Sequence, residues 1–293
     1  MADGERPIDR VVAALRADPV DLAGDLVHVR ARFEQLGARD PMSDGAESHR
    51  TDLGGVSVLD LPGPQAAGAV IFVHAGGFLA GSAAGSFALA LRLARALERR
   101  VISVDYRLAP EHPFPAARDD VVAVLRAVAA EVGAERVALV GASAGGGIGL
   151  HALREARDRG EALPAAVSLL SPFTDLTLGG ASYEWNSARD PSLTRTGLAA
   201  GVRAYAADDP LELRPSARNL RGLPPLQIQA GSREILLSDS LDLATEAARA
   251  DVHVSLDVWP DMVHVFPTFA GVLEEGMGAL RGIGSFLERW IPR

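Results

Sequence analysis

Seven short apolar runs set the strongest limit on how this chain can fold: VSVLDL (56–61), AVIFVH (69–74), RVISVDY (100–106), RVALVG (136–141), AAVSLL (165–170), LQIQAG (226–231) and VHVSLDVW (252–259). Most are rich in valine, isoleucine and leucine, as strands covered on both faces are. Helical spacings at 86–99, 117–132, 144–159, 238–250 and 270–290 separate many of them. Strands that alternate with helices predict βαβ units and a mostly parallel sheet flanked by helices, an α/β fold. With no linker, repeat or low-complexity tract, one domain spans 1–293. The segment 174–222 breaks the alternation, being polar and proline-punctuated. Upstream, Leu22, Leu26, Val29, Phe33 and Leu36 recur at helical spacing, and 41–50 reads as a polar loop. Residues 1–45 and part of 174–222 are therefore expected to form a helical cap over the sheet.

Composition removes several functions. The formal net charge is -9 and basic residues form no run, which argues against nucleic-acid binding. There is no cysteine, hence no disulfide, thiolate metal site or cysteine nucleophile; this fits a cytoplasmic protein. The opening MADGERPIDR lacks the apolar core of a secretion signal. Residues 66–91 carry no formal charge and have the length of a membrane span. Five glycines and a histidine break that stretch, which reads instead as a buried strand, a glycine loop and a helix start, so no membrane span is expected.

In RVALVGASAGGGIGLHALREA (136–156), Ser143 stands between small residues where a strand turns into a helix. The pattern Gly141-Ala142-Ser143-Ala144-Gly145 is G-x-S-x-G, the spacing of a nucleophile elbow. Strand and helix nearly touch at such a turn, so large side chains are excluded. The serine also starts a helix, whose free N–H groups favour negative charge. Gly146 and Gly147 are expected to let that helix approach the sheet. His74-Ala75-Gly76-Gly77 follows an apolar strand as the H-G-G-G loop of lipases and esterases does. The N–H groups of Gly76, Gly77 and Ala144 are the candidate oxyanion hole.

A serine needs a base and an orienting acid. The chain order serine, acid, histidine places the base late, at His264 in WPDMVHVFP. His28 and His49 precede the sheet, His151 and His253 fall inside elements, and His112 sits in a turn. The acid belongs after LQIQAG, where Glu234 is the first carboxylate; Asp239 reads as the cap of the next helix. Asp257 and Asp261, nearer His264, remain alternatives.

These residues together resemble the hormone-sensitive-lipase-like family of bacterial esterases on the α/β-hydrolase fold. HAGGF, DYRLAPEHPFPAARDD (105–120), GASAGG, LLSPFTDLT (169–177), AGSREILLSDS (230–240) and WPDMVHVF (259–266) match its blocks in order, from about residue 55 to the C-terminus. The resemblance implies Ser143 as nucleophile and His264 as base, with Gly76, Gly77 and Ala144 forming the hole. It also implies a mobile helical cap and a homodimer. Ala75 replaces the first glycine of H-G-G-G, Ala142 replaces a common aspartate, and Glu234 stands where aspartate is usual.

The resulting expectation is a carboxylesterase that acts on short- to medium-chain acyl esters through an acyl-enzyme, with a small-molecule substrate and no metal or organic cofactor. The same residues would serve a lactone, amide or acetylated-metabolite hydrolase. Plant hormone receptors resemble this family but lack the histidine; the presence of both Ser143 and His264 speaks against such a binding module.

Overall fold

The computed structural model describes residues 5–38, 46–64, 68–206 and 213–291. Its centre is an eight-stranded sheet: β1 (His49–Leu53), β2 (Val56–Leu61), β3 (Ala69–Val73), β4 (Arg100–Val104), β5 (Val137–Ala142), β6 (Ala166–Leu170), β7 (Leu226–Gly231) and β8 (Val254–Trp259). The strand order is β1-β2-β4-β3-β5-β6-β7-β8. The first two strands join antiparallel and all other pairings are parallel, the mixed α/β sheet that the alternation predicts.

Alternate residues of β3 explain why its run is apolar throughout. Ala69, Ile71 and Val73 pack on one face, in the cluster that holds Val121 and Ile148. Val70 and Phe72 pack on the other, with Leu93 and Ile283. Those partners belong to α4 (Ala116–Val132) and α5 (Ala144–Asp158) on one side, and to α3 (Phe87–Leu97) and the C-terminal α10 (Glu274–Leu287) on the other. Between β7 and β8 lies α9 (Leu237–Arg249). The uncharged stretch 66–91 contributes β3 and the start of α3, with 65–67 outside the described residues. No helix among the described residues is long and apolar enough to cross a membrane.

Two N-terminal helices, α1 (Pro7–Ala17) and α2 (Leu26–Ala38), precede the sheet. The Leu22 periodicity starts ahead of the second of these: Leu22 itself lies in a turn between them, and α1 falls outside the pattern. α6 (Ser182–Trp185), α7 (Arg195–Tyr205) and α8 (Ala217–Leu220) occupy the irregular 174–222 region. Of the expected cap, 1–4, 39–45 and 207–212 lie outside the described residues. The polar loop expected over 41–50 ends early. His49 and Arg50 open β1, an exposed edge strand with polar residues at every position but the last. Antiparallel pairing with β2 stabilises it through the backbone, so it carries no apolar signature.

Candidate active site

Strand β5 ends at Ala142 and α5 begins at Ala144, leaving Ser143 alone in the turn. Its backbone has φ +52° and ψ -122°, a sparsely populated conformation for a residue with a side chain. Backbone hydrogen bonds hold it there. Its N–H donates to the Leu170 carbonyl at 2.9 Å, and its carbonyl accepts from Gly146 at 2.9 Å and Phe173 at 3.0 Å.

The surrounding glycines are sterically required. A Cβ on Gly145 would lie 2.1 Å from the Val73 carbonyl oxygen, and one on Gly141 would lie 2.7 Å from the Gly146 Cα. Gly146 and Gly147 differ from expectation. They admit the loop after β6, since Cβ atoms there would meet Pro172 at 2.9 Å and the Phe173 carbonyl at 2.3 Å. The helix is packed tightly against that loop as well as the sheet.

His264 comes from the loop after β8, and Glu234 from the loop after β7. Gly231 brings the loops together, because a Cβ on it would sit 2.3 Å from the Met262 carbonyl oxygen. His264 Nε2 lies 2.9 Å from Ser143 Oγ, and its Nδ1 lies 2.7 Å from Glu234 Oε2. Glu234 is fully buried. Its Oε1 accepts from the Ser171 hydroxyl at 2.8 Å and from the Gly231 N–H. Burial pushes the Glu234 carboxyl up from its ordinary range, while His264, Gly231 and Ser171 act against that rise. Ser171, at φ +48°, also accepts the Val265 N–H at 3.0 Å, so one hydroxyl ties the acid to the histidine's loop.

The alternative acids are engaged elsewhere. Asp239, in the first turn of α9, does not cap its own helix. It accepts the N–H groups of Thr174 at 2.8 Å and Asp175 at 2.7 Å, and the Tyr183 hydroxyl at 3.1 Å. Burial pushes its carboxyl up to about 7. Asp261 pairs with Arg6 at 2.9 Å and Arg233 at 3.3 Å, and the Arg6 hydrogen bond holds its carboxyl below the ordinary range. Asp257 is exposed on β8. Among the other histidines, His28, His49, His112 and His253 are exposed. His151 is buried in α5 with its Nε2 at 3.1 Å from the Leu213 carbonyl.

Gly76 and Gly77 have φ +147° and +59°, and a Cβ on Gly76 would lie 1.8 Å from the Ala80 carbonyl oxygen. Neither their N–H groups nor that of Ala144, first in α5, have an acceptor among the described residues. His74 is buried and stacked on Tyr106 at 4.1 Å, and its Nδ1 lies 2.8 Å from the Ala75 carbonyl. Desolvation pushes its imidazole down to about 4, so it is neutral at pH 7. Tyr106 donates its hydroxyl to the His74 carbonyl at 2.9 Å, which fixes the root of the glycine loop. Beside His264 opens an apolar pocket of about 200 Å³. Leu15, Val20, Leu22 and Phe33 wall it from the N-terminal side, Leu89 and Phe269 from the sheet side.

The family model for the alpha/beta hydrolase fold matches residues 70–268. The chain belongs to the α/β-hydrolase family. An acetyl-hydrolase of Streptomyces hygroscopicus is 38% identical over 231 residues, 77% of each chain. An esterase of Acinetobacter venetianus is 33% identical over 264 residues, 88% of this chain and 87% of that one. The crystal structure of an esterase from the bacterial hormone-sensitive lipase family covers 100% of both chains at 36% identity with a TM-score of 0.92. The chain is thus a member of the hormone-sensitive-lipase-like branch of the α/β-hydrolases.

Two of the three departures from the branch's sequence blocks line the pocket. Ala75 and Ala142 are small, apolar parts of its wall. Ser171, Asn186 and Asp190, all close to Glu234 or its backbone, carry no motif signal of their own. Only the SPF of LLSPFTDLT marked Ser171's segment as part of a block.

Proposed function

We propose that the chain hydrolyses short- to medium-chain carboxylic esters through an acyl-enzyme on Ser143. It is a carboxylesterase of the serine hydrolase class. One observation carries the mechanism: Ser143 Oγ, His264 and Glu234 form a continuous hydrogen-bonded line whose imidazole also lines an apolar pocket.

His264 Nε2 takes the Ser143 proton as Oγ attacks the ester carbonyl. Glu234, accepting from Nδ1–H, fixes the tautomer and stabilises the imidazolium that forms. The N–H groups of Gly76, Gly77 and Ala144 receive the oxyanion, the last aided by the N-terminus of α5. His264 then protonates the departing alcohol, and water attacks the acyl-enzyme by the same route in reverse. The α1 and α2 helices together with 182–206 form the cap, whose inner side supplies much of the pocket wall.

The short-chain preference is supported by the pocket's limited volume of about 200 Å³ and by the acetyl-hydrolase among the relatives. The test is turnover of p-nitrophenyl esters from acetate to palmitate, together with fluorophosphonate labelling. Labelling that disappears in Ser143→Ala, with turnover peaking at chains of about four to eight carbons, is the expected result; each methylene adds about 0.8 kcal/mol only while the pocket has room. Palmitate turned over faster than butyrate would overturn the chain-length reading, and an unlabelled Ser143 would overturn the mechanism.

A further inference from the structure

The peptide unit between Glu234 and Ile235 is held at both of its polar groups by side chains from a segment some 45 residues away. Asn186 Nδ2 donates to the Glu234 carbonyl at 2.8 Å and to the Ser232 carbonyl at 3.1 Å. Asp190 Oδ2 accepts the Ile235 N–H at 2.8 Å. Asn186 and Asp190 sit on one face of a single turn, closed by the Asp190 N–H to the Asn186 carbonyl at 2.9 Å. Arg189 donates to Asn186 Oδ1 at 3.0 Å, which orients the amide so that its NH2 faces the acid's loop. Both clamping residues are buried.

The other oxygen of Asp190 points to the substrate side. Oδ1 accepts the N–H groups of Ser192 at 2.8 Å and Leu193 at 3.0 Å. Ser192 and Leu193, with Pro191, line the pocket that opens beside His264. One buried carboxylate therefore touches the backbone of the acid's loop with one oxygen and the backbone of the pocket wall with the other.

We propose that Asn186 and Asp190 are positioning residues that aim the Glu234 carboxylate at His264 by clamping the Glu234–Ile235 peptide, and that Asp190 ties this clamp to the pocket wall at Ser192–Leu193. The inference rests on the assignment of Glu234 as the acid of an esterase. Orientation of that peptide sets the Glu234 ψ angle and so the direction in which its side chain leaves the backbone. Misplacement of a catalytic group by 1 Å costs about 100-fold in rate. The clamp explains why a carboxylate on a loop, outside the sheet's ladder, stays within 2.7 Å of the imidazole.

Three variants separate the two roles. Asn186→Ala removes the carbonyl half of the clamp. Asp190→Asn keeps an oxygen for the Ser192 and Leu193 N–H groups but sets an NH2 against the Ile235 N–H, so it breaks the clamp and spares the wall. Asp190→Ala removes both. Fluorophosphonate labelling to completion counts folded, competent sites, and kcat and KM for butyrate and octanoate esters are measured per labelled site. Expected are kcat losses of about 10- to 100-fold in all three variants. The butyrate-to-octanoate ratio of kcat/KM should hold its wild-type value in Asn186→Ala and Asp190→Asn and shift about threefold or more in Asp190→Ala, roughly the worth of one methylene contact. Wild-type kcat per labelled site in Asn186→Ala and Asp190→Asn overturns the clamp, whether or not Asp190→Ala folds. An equal ratio shift in Asp190→Asn and Asp190→Ala overturns the tie to the wall. A wild-type protein that is neither labelled at Ser143 nor active on any ester overturns the esterase reading itself.

Discussion

His264 and Glu234 meet at 2.7 Å, Nδ1 to Oε2, although 30 residues separate them and the carboxylate has no contact with solvent. An amide at position 234 would still fill the space but would hold the imidazole less well in the tautomer that leaves Nε2 free to accept the serine proton. Glu234→Gln is expected to lose roughly two to four orders of magnitude in kcat. Ser143→Ala and His264→Ala should each lose at least about three. Asp261→Asn, whose side chain faces two arginines at the surface, should stay near wild type. Steady-state kinetics on a butyrate ester ranks the four; an Asp261→Asn loss exceeding that of Glu234→Gln would move the acid to Asp261.

Asp239 makes a prediction of opposite character. Burial raises its carboxyl to about 7 from an ordinary 3.8, so the folded protein holds that proton more tightly than the unfolded chain does. Stability from this group is complete below about pH 4, falls as pH rises through the window up to about 7, and is absent above it. The difference amounts to a few kcal/mol at most. Asp239→Asn can still accept the Thr174 and Asp175 N–H groups with its oxygen and offer its NH2 to the Tyr183 hydroxyl. Thermal melts from pH 5 to 8 should therefore show wild type losing ground to Asp239→Asn as pH rises. A wild-type curve that gains on the variant would reverse the assignment. Turnover by Asp239→Asn should remain well above that of Glu234→Gln.

Pocket depth can be changed from either wall. Phe269 closes the 3₁₀ turn Phe266–Phe269 and lines the pocket together with His264. Phe269→Ala opens space, and each further methylene that finds room gains about 0.8 kcal/mol, about fourfold in kcat/KM. The expected outcome is a profile displaced toward longer chains, with the decanoate-to-butyrate ratio up by about fourfold or more. An unchanged ratio would place the acyl chain elsewhere.

The fold and the candidate site's clustered residues are legible because both depend on local signals. Fully buried strands must be apolar throughout, and an elbow must be flanked by residues without bulk, so AVIFV and GASAG announce themselves. The edge strand β1 was illegible for the converse reason: HRTDL is held by backbone pairing and faces solvent. α1 carries a weaker signal, although Pro7 opens it and Ile8, Val11 and Val12 share its buried face, because the longer periodicity lies downstream over Leu22–Leu36. Ser171, Asn186 and Asp190 were beyond reach of any spacing argument. Each acts on the backbone or carboxylate of a loop distant in sequence, and a serine, asparagine or aspartate in a polar segment looks the same whether it grips such a loop or water.

Helix α7 comes close to the glycine loop. Gly201, inside α7, faces the carbonyl of Gly77, and a Cβ there would lie 2.4 Å from that oxygen. Two neighbours reinforce the contact. Tyr205, one turn further along α7, stacks on Phe78 at 4.1 Å, and a Cβ on Gly77 would lie 2.8 Å from Leu22 Cδ1. A glycine in a helix interior costs about 0.5–1 kcal/mol against alanine, so its presence needs a reason such as this approach. Gly201→Ala must push either the helix outward or the Gly76–Gly77 loop inward. Displaced N–H groups would hold an oxyanion poorly, and losing one donor of that kind costs about 100- to 1000-fold in kcat elsewhere. A kcat loss of at least about tenfold is expected, together with about 1–3 kcal/mol of destabilisation from overpacking. Gly284, inside α10, is the matched control, because a Cβ there meets Leu97 Cδ2 at an ordinary 3.5 Å. Gly284→Ala should keep wild-type turnover and gain about 0.5–1 kcal/mol from helix propensity alone. Thermal melts and butyrate kinetics on the pair decide the matter: Gly201→Ala with full turnover would mean that α7 does not set the glycine loop's position.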